Sequence, residues 1–292
     1  MADDTDSTGM AGVTRHALLE LLFPNACMLC GRPFRIGRAN RPDIPGGRPP
    51  PLIGCGAGVC DSCAGTLPDG TAPACPSCGD RMGPGLPPEE TCPACRSHPH
   101  VFSAAIALGR HEGGLRTLVH RMKFRPSPPA ARFLGERLAD IAIRDGRFRA
   151  AGLVTVVPTL WTRRLRRGCH PPEILAKAVA QRLDIPLRQR ILALRRRVAL
   201  QTRLSRAGRI ENVTGAFAVR RPAAVRGRVV ILVDDVLTTG ATADACARAL
   251  LHAGARDVLA AVAARAPYPA GVVSPGDAPS PTGDEAEISS PL

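Results

Sequence analysis

Two groups of residues in this chain have types and spacings that could do chemistry. The first lies in VVILVDDVLTTGAT, Val229 to Thr242. Five apolar residues, Val229 to Val233, run into two carboxylates, Asp234 and Asp235. Thr238, Thr239 and Gly240 follow, and then the helix-forming ATADACARALLHAG. The apolar run has the length and β-branching of a buried parallel strand. Its acids therefore belong at the strand's carboxyl end, where open α/β sheets bind ligands. The Thr-Thr-Gly turn sets backbone N–H groups and hydroxyls at the start of the next helix, where unpaired N–H groups and the helix dipole favour an anion. Acids for sugar hydroxyls beside a cradle for phosphate point to a phosphorylated sugar. The plainer alternative is a strand–turn–helix with an acidic strand end.

The second group is cysteine. Four Cys-x-x-Cys units, Cys27/Cys30, Cys60/Cys63, Cys75/Cys78 and Cys92/Cys95, hold most of the 11 cysteines. Two thiolates at this spacing grip one ion from a tight knuckle, and two knuckles close a tetrahedral site around zinc. Eight ligands make two sites. Pairing consecutive knuckles is the simplest assignment, but spacing leaves a cross-braced arrangement open, and iron–sulfur ligation is the alternative to zinc. A closed tetrathiolate site folds a small domain with little core and leaves no open position for water. Two structural ions and no zinc chemistry are expected. Cys55 is a spare thiol or a replacement ligand. His98 and His100 read as polar linker residues, and Cys246 as a core residue.

These groups need elements to position them. Met1 to Gly12 reads as a disordered tail and Val13 to Phe23 as a helix ending before Pro24. The Arg-, Pro- and Gly-rich stretch between the first two knuckles reads as a floppy insertion. Strands are expected at Val101–Leu108, Leu153–Val157, Val229–Val233 and Asp257–Ala264. Helices are expected at Gly113–Phe124, Ala130–Ile143, Pro172–Leu183 and Thr242–His252. Helices alternating with apolar strands imply an α/β fold with a mostly parallel sheet. Residues 13–100 then form the cysteine-rich unit with its N-terminal helix, 101–266 the α/β domain, and 267–292 a second disordered tail.

Hydrophobic residues make up 45% of the chain and aromatics only 3%, so the core must be Leu, Val, Ile and Ala. The formal charge of +14 is carried mostly by arginine, the lysines being Lys123 and Lys177. Arginine's planar fork suits phosphate, and a basic surface attracts nucleic acid; a compositional bias toward Arg, Ala, Pro and Gly accounts for the same count. Few aromatics are present to stack on single-stranded bases. No run of about 18 apolar residues exists to span a membrane, and the acidic start lacks a signal-peptide core. A cytoplasmic protein is expected, where reducing conditions favour metal over disulfides.

The segment 229–242 resembles the phosphoribosyl pyrophosphate (PRPP) motif of type I phosphoribosyltransferases. The order of features along the chain resembles the ComF family, a double zinc ribbon followed by a domain of that kind. The matching pieces are LLFPNACMLCGRP, HRMKFR around Lys123, VVP at Pro158, RRLRRG before Gly168, QTRLSRAGRIENVTGAF from Gln201, and VVILVDDVLTTGAT. The resemblance covers roughly Val13 to Arg265. It implies that Asp234 and Asp235 hold the ribose 2′- and 3′-hydroxyls. It also implies that Leu237, Thr238, Thr239, Gly240, Ala241 and Thr242 wrap the 5′-phosphate, and that Val157, Pro158 and Thr159 form the pyrophosphate loop. Arg163, Arg164, Arg166 and Arg167 fall where they could reach phosphate. Gln201, Ser205, Arg206, Arg209 and Asn212 fall in the flexible active-site loop.

The implied reaction is phosphoribosyl transfer with magnesium on PRPP. The alternative is a non-catalytic module that senses PRPP or a nucleotide, or that handles single-stranded DNA, as the family's link to competence and DNA uptake implies. One departure bears on this. Where the family commonly reads Phe-Asn-Gln after the glycine, this chain has Cys169, His170 and Pro171. That puts the second substrate, or activity itself, in question. The acceptor and the oligomeric state are not legible in the sequence.

Overall fold

The computed structural model describes residues 26–33, 58–83, 90–124, 127–158, 170–195, 213 and 215–267. Several expectations lie outside these residues: both tails, the helix at 13–23, the insertion with Cys55, Thr159, the arginines at 163–167, Cys169 and the segment from Gln201 to Asn212.

In the cysteine-rich unit two short helices, α1 (Asp61–Gly65) and α2 (Pro93–Ser97), each begin at a knuckle. The domain that follows runs β1 (Ala104–Ala107), α3 (Gly113–Phe124), α4 (Pro128–Arg144), α5 (Gly146–Arg149), β2 (Leu153–Val156), α6 (Pro171–Leu183), β3 (Leu192–Leu194), β4 (Phe217–Val219), β5 (Val229–Leu237), α7 (Ala241–His252) and β6 (Asp257–Arg265). The main sheet has the order β1-β6-β5-β2 and every pairing is parallel. This is the expected α/β architecture. β3 and β4 form a separate antiparallel pair. Each is three residues long, too short for periodicity to reveal it.

Alternation along the strands divides the core in two. Val229, Ile231 and Val233 of β5 face a cluster built from α3, α4 and α6; Val230 and Leu232 face a cluster built around α7. Each helix buries an apolar stripe. In α3 it is Leu115, Leu118, Val119 and Met122, at the spacing of one helical face. Prolines open α4 and α6, where a missing N–H costs nothing. α4 and α6 come close because position 135 is glycine: a Cβ there would lie 3.1 Å from the Leu175 Cα.

The two cysteine clusters sit on opposite faces of this sheet. Cys27, with Cys60 and Cys63 packed beside it, joins the core on the α3/α4/α6 side. Cys75, Cys78, Cys92 and Cys95 join the core on the α7 side.

Two strands differ most from their expected bounds. β1 starts at Ala104, because Val101 gives its N–H to Asp244 and Ser103 gives its hydroxyl to Asp257, 2.7 Å in each case. β5 continues past the acids to Leu237, held in register by β6 as far as Arg265. No helix among the described residues is long and apolar enough to cross a membrane.

Candidate ligand site at the carboxyl edge of the sheet

The eight knuckle cysteines gather as two groups of four: Cys27, Cys30, Cys60 and Cys63, and Cys75, Cys78, Cys92 and Cys95. Within each, the sulfurs lie within 4.8 Å of one another. The Cys30–Cys60 and Cys78–Cys92 Sγ pairs are 3.8 Å apart. A tetrahedron of sulfurs about 2.3 Å from a central zinc has edges of about 3.8 Å. The donor sets therefore fit one tetrahedral ion each, with consecutive knuckles paired. Backbone N–H groups point at the sulfurs, Cys60 N to Cys27 Sγ and Cys92 N to Cys75 Sγ, both at 3.3 Å. In the second group, hydrogen bonds shared with Cys78, Cys92 and Cys95 hold the Cys75 thiol far below its ordinary value. Those same contacts push Cys95 up. Four thiols this close concentrate negative charge on few sulfurs, and a dication relieves the conflict by making all four thiolates.

The acid pair lies toward the carboxyl end of β5, one of the two central strands of the sheet, with Val236 and Leu237 still paired beyond it. Asp234 Oδ1 accepts the Asp235 N–H at 2.8 Å. Burial, reinforced by the neighbouring charge of Asp235, raises the Asp234 carboxyl to about 7. Lys123, near the end of α3, places Nζ 3.0 Å from Asp235 Oδ1. Val157 lies beside the pair: its N–H donates to Val233 O, one residue before Asp234. Pro158 is part-buried next to it.

The loop between β5 and α7 is shaped by Gly240, whose φ of +81° is a left-handed conformation open to glycine. Asp244 N donates to Gly240 O as the helix begins, and Ala241 N to Thr239 Oγ1 at 3.4 Å. Thr239 and Ala241 are buried, Thr238 is exposed and Thr242 is part-buried. Beneath the loop, the fully buried Arg265 donates through Nη1 to Leu237 O at 2.9 Å and to Thr238 O. Its guanidinium thus holds the carbonyl side of the loop.

Three residues that the sequence did not mark belong here. Arg265 reads only as the residue after the expected strand Asp257–Ala264, and the strand in fact includes it. His111, four residues beyond the end of β1, gives its N–H to Arg265 O. Burial and the nearby Lys123 and Arg116 cations hold its imidazole below the ordinary value. His100, expected to be a polar linker residue, has a side chain 1% exposed, and its ring covers Gly240. His98 is exposed as a linker residue would be. Cys246 is fully buried in α7, and burial raises its thiol well above the ordinary value.

A family model described as the phosphoribosyl transferase domain matches residues 172–277, which include the acid pair and its loop. DNA utilization protein YhgH of Salmonella typhi is 29% identical over 243 residues, 82% of this chain and 96% of that protein. Competence protein F of Haemophilus influenzae is 27% identical over 206 residues, 69% and 87% of the two chains. Among solved structures, the glutamine PRPP amidotransferase from B. subtilis is 22% identical over 49% of this chain and 30% of its own, with a TM-score of 0.34. The resemblance to the ComF family read from the sequence is thereby borne out: this chain joins two tetracysteine clusters that fit a double zinc ribbon to a phosphoribosyl transferase domain.

Proposed function

We propose that the domain binds PRPP, or a closely related phosphorylated ribose, at the carboxyl edge of the sheet, in a role tied to DNA utilization or competence. The observation that supports this most is convergence at one edge. An acid pair and a left-handed Gly240 opening a 12-residue helix lie within a single strand–loop–helix unit, and a cation, Lys123 of α3, reaches the pair from outside it. In this reading Asp234 and Asp235 take the ribose hydroxyls and the Leu237–Thr242 loop takes the 5′-phosphate. Val157, Pro158 and Thr159 receive the pyrophosphate. Lys123 and Arg206 add positive charge. The eight knuckle cysteines hold two zinc ions.

Magnesium fits as a partner of the ligand. It keeps several waters and is held by one or two carboxylates plus substrate phosphates, and the acid pair offers that number. When bound with PRPP it would neutralise the diphosphate. If the domain turns over, the C1′–oxygen bond to pyrophosphate breaks as an acceptor forms its bond to C1′. The chain's own part is to orient the ribose through the acids and to hold the phosphates.

Calorimetry with PRPP, with and without magnesium, tests the reading. Micromolar binding that falls at least tenfold in Asp235→Asn supports it; no binding by the zinc-loaded wild type sinks it. A second reading is favoured by the names of the relatives and by the +14 charge: the protein holds single-stranded DNA. Binding to a DNA oligonucleotide that weakens steeply with salt, in protein that consumes no PRPP, would select it.

A further inference from the structure

The second tetracysteine cluster reaches the β5–α7 loop by two separate routes. The first leaves Cys95 through five residues. At its end His100 and Val101 use both oxygens of Asp244 in the first turn of α7: His100 Nδ1 is 3.1 Å from Oδ2, and Val101 N donates to Oδ1 at 2.7 Å. The His100 ring lies on Gly240 so closely that a Cβ there would fall 2.3 Å from its Cε1. Phe102 stacks on that ring, with centroids 4.5 Å apart, and is buried in the same core cluster as the four cysteines. The second route leaves Cys78. Asp80, 2% exposed, receives Arg110 Nε at 3.2 Å; Arg110 bridges in parallel to Arg265, and Arg265 holds Leu237 O and Thr238 O. The strand edge is fastened as well, with Ala105 N donating to Pro76 O. Neither route involves Cys27, Cys30, Cys60 or Cys63, and the first, third and fourth of these pack on the opposite face of the sheet.

We propose that the second cluster clamps the phosphate loop, so that its metal occupancy and the loop's ligand occupancy are coupled, with His100 as the positioning residue. A four-coordinate ion fixes Cys75, Cys78, Cys92 and Cys95 relative to one another, and hence fixes His100 and Arg110. Those two set Gly240 and Leu237–Thr238. Losing the ion frees the far ends of both routes while the sheet keeps its own hydrogen bonds. Coupling between sites is reciprocal: a ligand that orders the loop must hold the metal more tightly. The loop coupling stands on contacts alone; only the identity of the ligand rests on the PRPP reading.

The test is amide hydrogen exchange on the full zinc-loaded chain. Emptying the second cluster with Cys92→Ser/Cys95→Ser should speed exchange at residues 237–245 at least tenfold, with β2 and α6 unchanged. Cys27→Ser/Cys30→Ser should leave that loop as in wild type. Should the Cys92/Cys95 variant unfold throughout, His100→Ala decides. It should keep both zinc equivalents and still exchange faster at 239–244. Equal loop exchange in His100→Ala and wild type overturns the clamp. In a ligand arm, PRPP with magnesium should slow chelator release of one zinc equivalent at least threefold in wild type and not in His100→Ala; equal slowing in the two overturns His100 as the link. Absence of PRPP binding by calorimetry would defeat the functional reading instead, and the exchange comparison would still decide the clamp.

Discussion

Lys123 Nζ stands 3.0 Å from Asp235 Oδ1, joining the end of α3 to the carboxyl end of β5. The pair is partly screened from solvent, with side chains 25% and 18% exposed. It gives the two adjacent carboxylates opposite surroundings. Asp235 has a cation against it, while Asp234 has burial and a neighbouring negative charge.

Removing that cation should be felt in ligand binding more than in folding. Lys123→Met leaves the acids unneutralised and takes a positive charge from a site proposed to hold a diphosphate. PRPP affinity is expected to drop about tenfold, or about 1.4 kcal/mol, with the melting temperature nearly unchanged. Calorimetry beside thermal melts checks both.

Asp234 should set a pH dependence of stability. Its carboxyl titrates near 7 in the folded protein and near its ordinary 3.8 in the unfolded chain. The unfolded chain releases this proton first, so folding carries no penalty from Asp234 below about pH 4. The penalty grows as pH rises toward 7 and is complete above it. Asp234→Asn removes the ionisable group and should stabilise the protein by on the order of 1–3 kcal/mol at pH 8. The difference in melting temperature from wild type should shrink as the pH is lowered toward 5, and the variant should bind PRPP more weakly. A constant difference across that range would contradict the assignment of the raised carboxyl.

Gly240→Ala meets two obstacles. A left-handed φ costs a residue with a Cβ roughly 1–2 kcal/mol, and the new methyl meets the His100 ring. His100→Ala should relieve the second and leave the first. A double-mutant cycle on unfolding free energies should therefore show coupling on the order of 1 kcal/mol. Strict additivity would place the ring elsewhere.

Arg265→Met keeps an apolar stem but takes the donors from Leu237 O and Thr238 O. One buried and one part-buried carbonyl lose a charged partner, at an expected cost of about 2–4 kcal/mol. Chemical denaturation of the zinc-loaded protein measures it. Loss of PRPP binding in the protein that remains folded would tie the guanidinium to loop geometry.

Chelation should be biphasic. Cys30 is exposed and Cys60 and Cys63 are partly so, whereas Cys75, Cys78, Cys92 and Cys95 are all buried. Metal at the first cluster should leave faster. A single release rate for two equivalents would mean that access does not control the exchange.

Residue type and short-range spacing determined much of this protein. Four Cys-x-x-Cys units announce tetrahedral sites because a knuckle is a local structure. Val229 to Thr242 announces strand, acids, turn and helix because the apolar run, the glycine and the helix formers are all contiguous. The α3 stripe from Leu115 to Met122 is likewise periodic, and that helix was readable to its ends. Tertiary structure decided what contiguity does not encode. The consecutive knuckles could have interleaved, and only packing brings Cys30 to Cys60 and Cys78 to Cys92. It also sends the two clusters to opposite faces of one sheet. Arg265 follows an ordinary apolar strand, and its burial arises because parallel pairing with β5 sets it level with Leu237 under the loop. His100 looks like a linker residue until Gly240, 140 positions away, leaves a Cβ-sized space that its ring fills. Such pairings depend on strand register and on the shape left by distant side chains, which local periodicity does not carry.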